Sequence, residues 1–384
     1  MRVLIIDKTA VLAANHERYK KIAAHSDIEL AVLSPIHWHE HMHDVRVEKT
    51  SDPNYRIFLG KTLWSGSYSR GFYWRGLGQA IRRFKPDLIQ LLEEPWSFFA
   101  GQTARLASRL APQAQLLFYT WENILRHGSY CSRLDPIHRR IEQRVFCQSC
   151  AGICATQTAE RVLKERGFQG KTEVIPYGIP QHFILPEEDL EEKLTRPIPE
   201  APRIGYIGRL LEMKGVETLI QALPEVPGRL VILGSGLQEM GLRMTAQIAG
   251  VSDRIEWLPA VPPEAVIEHL SSLDVLVLPS RTTPVWAEQL GRVLLEAMGS
   301  GVSVIGSSSG CIPEVIGESG YIFEEGNPGS LAQALLRVFG DQADRNERRR
   351  NGWEKVRSRY TWDRFAGDLA GVFRGILTNK PFQA

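Results

Sequence analysis

Short apolar runs closed by polar turns recur along the first half of the chain, at Val3–Ile6, Glu29–Leu33, Leu88–Leu92, Leu116–Tyr119, Gly152–Ala155 and Glu173–Ile175. Most alternate with stretches of helical periodicity. That alternation predicts a parallel sheet with helices on both faces. The pattern restarts at Ile204–Ile207, Leu230–Leu233, Ile255–Leu258, Val275–Leu278, Val302–Ile305 and Tyr321–Phe323. The chain therefore reads as α/β with two doubly wound, Rossmann-like domains.

Between the two series, from Ile179 to Pro202, five prolines and a cluster of acidic residues interrupt the periodicity. This segment, 179–202, reads as a linker, leaving 1–178 as the first domain and 203–359 as the second.

Composition narrows the class. The 384 residues are 43% hydrophobic and 23% charged, as in a soluble globular protein of two domains. A formal net charge of +2 gives little support to nucleic-acid binding through overall basicity. Five cysteines at irregular spacing suit a reducing compartment better than a disulfide framework. The opening run from Met1 to Asp7 is too short for a signal peptide, and no apolar run approaches the roughly 18 residues that span a bilayer. A cytoplasmic protein is expected, with contact to the inner face of a membrane left open.

The most informative stretch runs from Trp286 to Ile305, where Glu288 and Glu296 stand with seven residues between them and Gly291 marks a helix start. A helix beginning there points unbonded amides and partial positive charge at whatever precedes it, which suits a phosphate. Glu288 falls in the loop and Glu296 about two turns inside. Two carboxylates then accept from sugar and ribose hydroxyls on either side of the phosphates. Alone, the pair also fits an amphipathic helix with two exposed glutamates.

These residues resemble the E-x7-E motif of the retaining glycosyltransferases of family 4, and the continuation Gly306-Ser-Ser-Ser-Gly310-Cys-Ile-Pro313-Glu314 fits the same family. The resemblance implies the GT-B architecture, two Rossmann-like domains facing a cleft, with the acceptor on the first and the nucleotide sugar on the second. It also implies that the last helix, about 360–384, returns to the first domain from Tyr360-Thr-Trp362-Asp-Arg-Phe365, with the lobes hinging around 179–202. In Gly205-Tyr-Ile-Gly208-Arg209-Leu-Leu-Glu-Met-Lys214-Gly215 the family places an Arg and a Lys on the diphosphate, roles that pass to Arg209 and Lys214 beside Gly208. Gly234 and Gly236 become backbone contacts to the nucleotide, although a tight strand-to-helix turn explains them equally well. They do not form a dinucleotide fingerprint, because Glu239 occupies the third glycine position. Backbone around Pro259 reads the nucleobase edge, which leaves the base open. The amides around Gly291, Arg292 and Val293 receive the phosphates. Arg281 and Trp286 wall the donor sugar, or else form a loop held by Pro284 with Trp286 packed inward. No metal and no cofactor other than the nucleotide-sugar co-substrate is implied.

The chain departs from the family in its first half. The loop after the first strand, Asp7-Lys8-Thr9-Ala10, has no glycine, so phosphate contact there falls to Lys8 or Thr9. Where the family often carries a histidine, this chain has Trp121-Glu122-Asn123. Glu122, Asn123 and the pair Glu93–Glu94 are candidates for the acceptor, with a buried capping network as the competing account. His37, His39, His41 and His43 alternate as metal ligands on a strand would, but a polar surface loop is the better reading. Cys147, Cys150 and Cys154 read as core thiols, the first two helical and the third on a strand.

From Arg56 to Lys85 there are seven basic and no acidic residues, interleaved with Phe58, Trp64, Tyr68, Phe72, Tyr73, Trp74 and Phe84. This suits an anionic membrane interface or a polyanionic, lipid-linked acceptor, or else aromatics turned to the core with solvated cations. The function these readings converge on is transfer of a glycosyl group from a nucleotide-diphosphate sugar to an acceptor hydroxyl with retention. A GT-B epimerase or phosphorylase, and a non-catalytic sugar-nucleotide-binding protein, are the rivals.

Overall fold

The computed structural model describes residues 1–40, 43–48, 54–125 and 134–378. Two compact units emerge, Met1–Gly178 with Trp362–Ala384, and Ile179–Thr361. Strands of the first are β1 (Arg2–Ile6), β2 (Glu29–Pro35), β3 (His37–Glu40), β4 (His43–Arg46), β5 (Arg56–Leu63), β6 (Phe72–Arg75), β7 (Leu88–Leu91), β8 (Gln115–Thr120), β9 (Ser149–Cys154) and β10 (Lys171–Val174). Those of the second are β11 (Arg203–Ile207), β12 (Arg229–Leu233), β13 (Ile255–Leu258), β14 (Val275–Leu278), β15 (Ser303–Ser307) and β16 (Tyr321–Phe323).

The first sheet runs β10-β9-β8-β7-β1-β2-β5-β6, parallel except where β6 returns antiparallel to β5. The strands β1, β2, β7, β8 and β9 are buried on both faces, which is why they read as continuous apolar runs. Along β1, Leu4 and Ile6 enter one core with Ile81, Phe84 and Phe99, while Val3 and Ile5 enter the other with Tyr19 and Tyr119. The second sheet, β13-β12-β11-β14-β15-β16, is wholly parallel. In both sheets the first strand lies between two neighbours whose crossovers lead in opposite directions. Such a switch point opens a crevice at the carboxyl ends of those strands. The loops found there are the ones after β1 and β7, and after β11 and β14.

The final helix, Trp362–Thr378, belongs to the first unit. Trp362, Phe365, Ala366, Leu369, Ala370 and Phe373 recur at helical spacing and fill the second core beside Tyr19 and Tyr119. Among the described residues, no helix is long and apolar enough to cross a membrane.

Several local expectations change. The segment 179–202 is not all irregular, since Glu187–Thr195 is a helix that buries Leu190 and Leu194 in the second unit. The basic and aromatic stretch folds as β5, β6 and the helix Leu77–Phe84, turning Tyr73 and Phe84 inward and leaving Trp64 and Trp74 outside. Cys147 is exposed, and Cys150 lies on β9 rather than on a helix; only Cys154 of the three is a fully buried core thiol. His37 and His39 are exposed on β3 of a two-stranded antiparallel ribbon instead of a loop, while His41 lies outside the described residues. Among the described residues, no group of three or more His, Cys, Asp or Glu is placed to hold a metal ion.

Phe365 packs with Tyr119, Tyr177 and Trp362. Phe365→Ala is expected to destabilise the first unit by about 3–5 kcal/mol, the usual range for a buried aromatic truncation. Urea unfolding monitored by tryptophan fluorescence checks this, and an unchanged midpoint would detach the helix from that core.

Candidate active site

Three loops converge at the switch point of the second unit. The loop after β11 carries Gly208 and Arg209, and the loop after β12 carries Gly234 and Gly236. Their backbones cross so closely that a Cβ on Gly234 would lie 1.9 Å from the Gly208 carbonyl oxygen. Backbone bonds Gly208 N–H to Leu233 O (3.0 Å) and Leu210 N–H to Ser235 O (2.9 Å) lock the crossing. A buried Tyr206 hydroxyl donates to the Arg209 carbonyl at 2.7 Å, and Arg209 itself is exposed. Burial, reinforced by the negative charge of Glu288, holds that phenol well above its ordinary range.

A 3₁₀ turn at Glu212–Lys214 then aims Lys214 at the loop after β14. Gly215, at φ +65°, lets this turn press on that loop, since a Cβ there would lie 2.0 Å from the Pro279 carbonyl oxygen. Lys214 Nζ meets Glu288 Oε2 at 2.6 Å and lies 4.7 Å from the centre of the Trp286 ring. Ser280 Oγ donates to the same carboxylate oxygen at 2.7 Å. Behind Glu288, the Cys311 amide donates to its carbonyl at 2.9 Å, and Gly310, at φ +54°, has no Cβ to push it away. Side chain and main chain of Glu288 are thus fixed independently.

Gly291 adopts φ +64° immediately before the helix Arg292–Gly299. The Leu294 amide bonds back to Gly291 O, whereas the amides of Arg292 and Val293 have no partner within the helix. Glu296 is the fifth residue of this helix, hence about one turn in rather than two. Its side chain is only 12% exposed and pairs with Arg292 at 3.2 Å. Burial raises the Glu296 carboxyl above its ordinary value, against the pull of Arg292 and, more weakly, of His182.

The structure therefore gathers Gly208, Arg209, Lys214, Gly234, Gly236, Glu288, Gly291, Arg292, Val293 and Glu296 at one end of one sheet. Pro259 follows β13 at the same end and is exposed, with the preceding Leu258 carbonyl taken by the Gly234 amide at 3.0 Å. Arg281 points elsewhere. Its guanidinium donates to Thr218 Oγ1 at 2.7 Å and lies 3.6 Å from Glu217, which ties the loop to the helix Val216–Ala222. Sequence reasoning assigned no role to Ser280, Gly215, His182 or the backbone clamp at Gly310. Gly215 ends the quoted motif but faces Pro279, far away in sequence, whereas Ser280 meets Glu288 only 8 residues on.

Glu122 and Asn123 sit in the first unit, after β8. Glu122 is buried 3.9 Å from Arg166, which binds Glu142 at 2.7 Å, and Asn123 is half-buried. Glu94 accepts from Thr120 Oγ1 (2.7 Å) and from the Trp121 amide (2.8 Å), bracing the loop that carries both residues. Burial and the neighbouring Glu122 push Glu94 up to about 7. Glu93 is likewise pushed up to about 7 by burial, although Lys8 is ion-paired to it. Lys8 also lies 4.7 Å from the Tyr68 ring centre, and Thr9 bonds Asp7 and Arg18. The two side chains offered for phosphate contact are thus engaged inside the unit.

A carboxyl group whose folded pKa exceeds its unfolded value keeps, in the folded state, a proton that the unfolded chain has lost. Stability then falls as pH rises from about 4.5 to about 7 and levels off above. Glu94→Gln is expected to flatten this decline, so that its melting temperature gains on the parent between pH 5 and pH 8, by up to a few kcal/mol in stability. Parallel thermal melts decide, and equal slopes would mean that Glu94 is ionised throughout.

Residues 189–355 match the family described as Glycosyl transferases group 1. The GDP-mannose-dependent alpha-(1-6)-phosphatidylinositol monomannoside mannosyltransferase of Mycobacterium tuberculosis is 28% identical over 299 residues, spanning 74% of this chain and 76% of the relative. Sucrose-phosphate synthase from Thermosynechococcus elongatus is similar in structure with a TM-score of 0.72, covering 99% of this chain and 100% of that one at 20% identity. HepE of Anabaena in complex with UDP has a TM-score of 0.73, covering 98% of this chain and 100% of its own at 16% identity. The family match lies in the second half of the chain, and the GT-B fold is shared across the whole of it.

Proposed function

We propose that this enzyme moves a glycosyl group from a nucleotide-diphosphate sugar to an acceptor hydroxyl with retention at the anomeric carbon. The observation that carries the reading is the convergence of Lys214, Glu288 and the amino end of the helix Arg292–Gly299 at one switch point. A leaving diphosphate gathers negative charge as its bond to the anomeric carbon breaks. Arg209, Lys214 and the amides of Arg292 and Val293 stabilise that charge in fixed positions. Glu288 orients the donor sugar and Glu296 the ribose, each accepting hydroxyl protons. The new bond from the acceptor oxygen forms on the face the phosphate leaves, and the acceptor proton passes to the departing phosphate oxygen.

The mycobacterial relative is named for GDP-mannose and a phosphatidylinositol mannoside, whereas the HepE structure holds UDP. The donor is therefore proposed as a class, a nucleoside-diphosphate hexose. The acceptor is a hydroxyl of a lipid-linked glycan or polyol, which places the enzyme in the cytoplasm at the surface of an anionic membrane. On this reading residues 203–359 hold the donor, and 1–178 with the returning helix hold the acceptor. Glu122 and Asn123 lie on the loop nearest that role, while Arg281 shapes the donor loop from behind.

Release of nucleoside diphosphate from GDP-mannose and UDP-glucose, with and without a lipid-linked acceptor, tests the reading. Lys214→Ala and Glu288→Gln are each expected to lower turnover on the order of 10²-fold or more, by analogy with removed oxyanion donors. Proton NMR of the product should show the anomeric configuration of the donor. Near-normal turnover in Lys214→Ala would overturn the site; an epimerised donor or phosphate-dependent release of sugar would replace transfer by epimerisation or phosphorolysis.

A further inference from the structure

The edge of the first sheet carries side chains that the fold does not use. Thr62 on β5 and Tyr73 on β6 stand opposite each other and are both buried. Their neighbours along the strands therefore point outward, and Leu59, Leu63 and Trp74 are 48%, 47% and 46% exposed. Lys61 and Arg75, also exposed, lie 5.9 and 4.6 Å from the Trp74 ring centre. Beyond the end of β5 comes Trp64, 60% exposed, with its ring edge-on to Phe72 at 5.5 Å.

Trp64 adopts φ +51°, one of two non-glycine residues with positive φ among those described. A left-handed conformation costs a side-chain-bearing residue on the order of 1 kcal/mol or more. Burial would offset that cost, but most of this ring stays in solvent. Ser67 N–H donates to the Trp64 carbonyl at 3.0 Å and closes the turn, which with Phe72 holds a largely exposed indole outward in a fixed direction. Its surroundings identify the partner. Residues 56–85 include seven bases and no acid, so the face attracts anions. Exposed indoles and leucines flanked by snorkelling cations match the boundary between headgroups and acyl chains. A second copy pairing along β6 would instead set Lys61 and Arg75 of each copy against the other.

We propose that the outward face of β5 and β6, with Trp64 at its tip, seats this unit on an anionic phospholipid surface. That seat presupposes the membrane contact in the proposed function, and the experiment separates the two. The full-length protein is floated with vesicles of phosphatidylcholine alone or mixed with phosphatidylglycerol. Flotation is expected with the anionic mixture only, and it should fall roughly tenfold or more in Trp64→Ser/Trp74→Ser and in Lys61→Gln/Arg75→Gln. Melting temperature and nucleoside diphosphate release should stay at parental values, since these side chains are largely exposed and lie outside the proposed donor site.

Met240→Ser/Met244→Ser provides the control. Those side chains lie on another exposed apolar row, whose charged residues Glu239 and Arg243 neutralise each other, so flotation should not change. Equal flotation of the parent and both edge variants, or loss only in the methionine variant, would overturn the seat while leaving membrane contact standing. Failure of the parent to float with anionic vesicles would remove the contact itself. A Trp64-dependent dimer in sedimentation, without flotation, would assign the face to a second copy.

Discussion

Lys214 and Glu288 meet at 2.6 Å although 74 residues separate them, and the carboxyl end of the second sheet is arranged around that meeting. Lys214 arrives on a turn that advances only because Gly215 leaves the Pro279 carbonyl room. Glu288 is clamped through its backbone by Cys311 and through its carboxylate by Ser280 and Lys214. A largely buried ion pair is a weak source of stability, because desolvating both charges offsets most of their attraction. Apolar residues of similar volume would serve the fold at least as well. The pair is better understood as a pre-set direction for a carboxylate and an ammonium, held by a scaffold that tolerates neither a Cβ nor a shift.

Most of this scaffold was legible in the sequence. Strands buried on both faces leave apolar runs that need no knowledge of their neighbours, and all twelve expected runs became strands of the two sheets. The donor-side glycines and the start of the helix at Arg292 were likewise local signals. The pairing of Lys214 with Glu288 was not. The family resemblance placed one on the diphosphate and the other on the sugar, and nothing near either residue encodes a contact across β12, β13 and β14. The contacts of Arg281 were hidden for the same reason, because its partners, Glu217 and Thr218, sit more than sixty residues earlier.

In the first unit the periodic signal itself was inverted. Along β5 and β6 the buried positions include Thr62, while Leu59, Leu63 and Trp74 face outward, so alternation of apolar and polar residues pointed to no consistent buried face. An edge strand pair covered on one side and selected on the other for something besides solubility loses its pattern in this way. Cys147 escaped for a humbler reason: a cysteine on a helix with little apolar periodicity carries no mark of which face it occupies.

The two switch points handle buried acid differently, and the difference bears on what each can do. In the second unit, Glu288 is matched by Lys214 from a neighbouring turn and Glu296 by Arg292 one turn earlier on its own helix. On the proposed function, a diphosphate competes for both cations while hydroxyls take up both carboxylates, so a nucleotide sugar exchanges one full set of partners for another and strands no charge. In the first unit, burial and the crowding of Glu94 by Glu122 raise a carboxyl to about 7. That group trades a proton, not a cation. A site built on exchangeable ion pairs favours a multiply charged ligand.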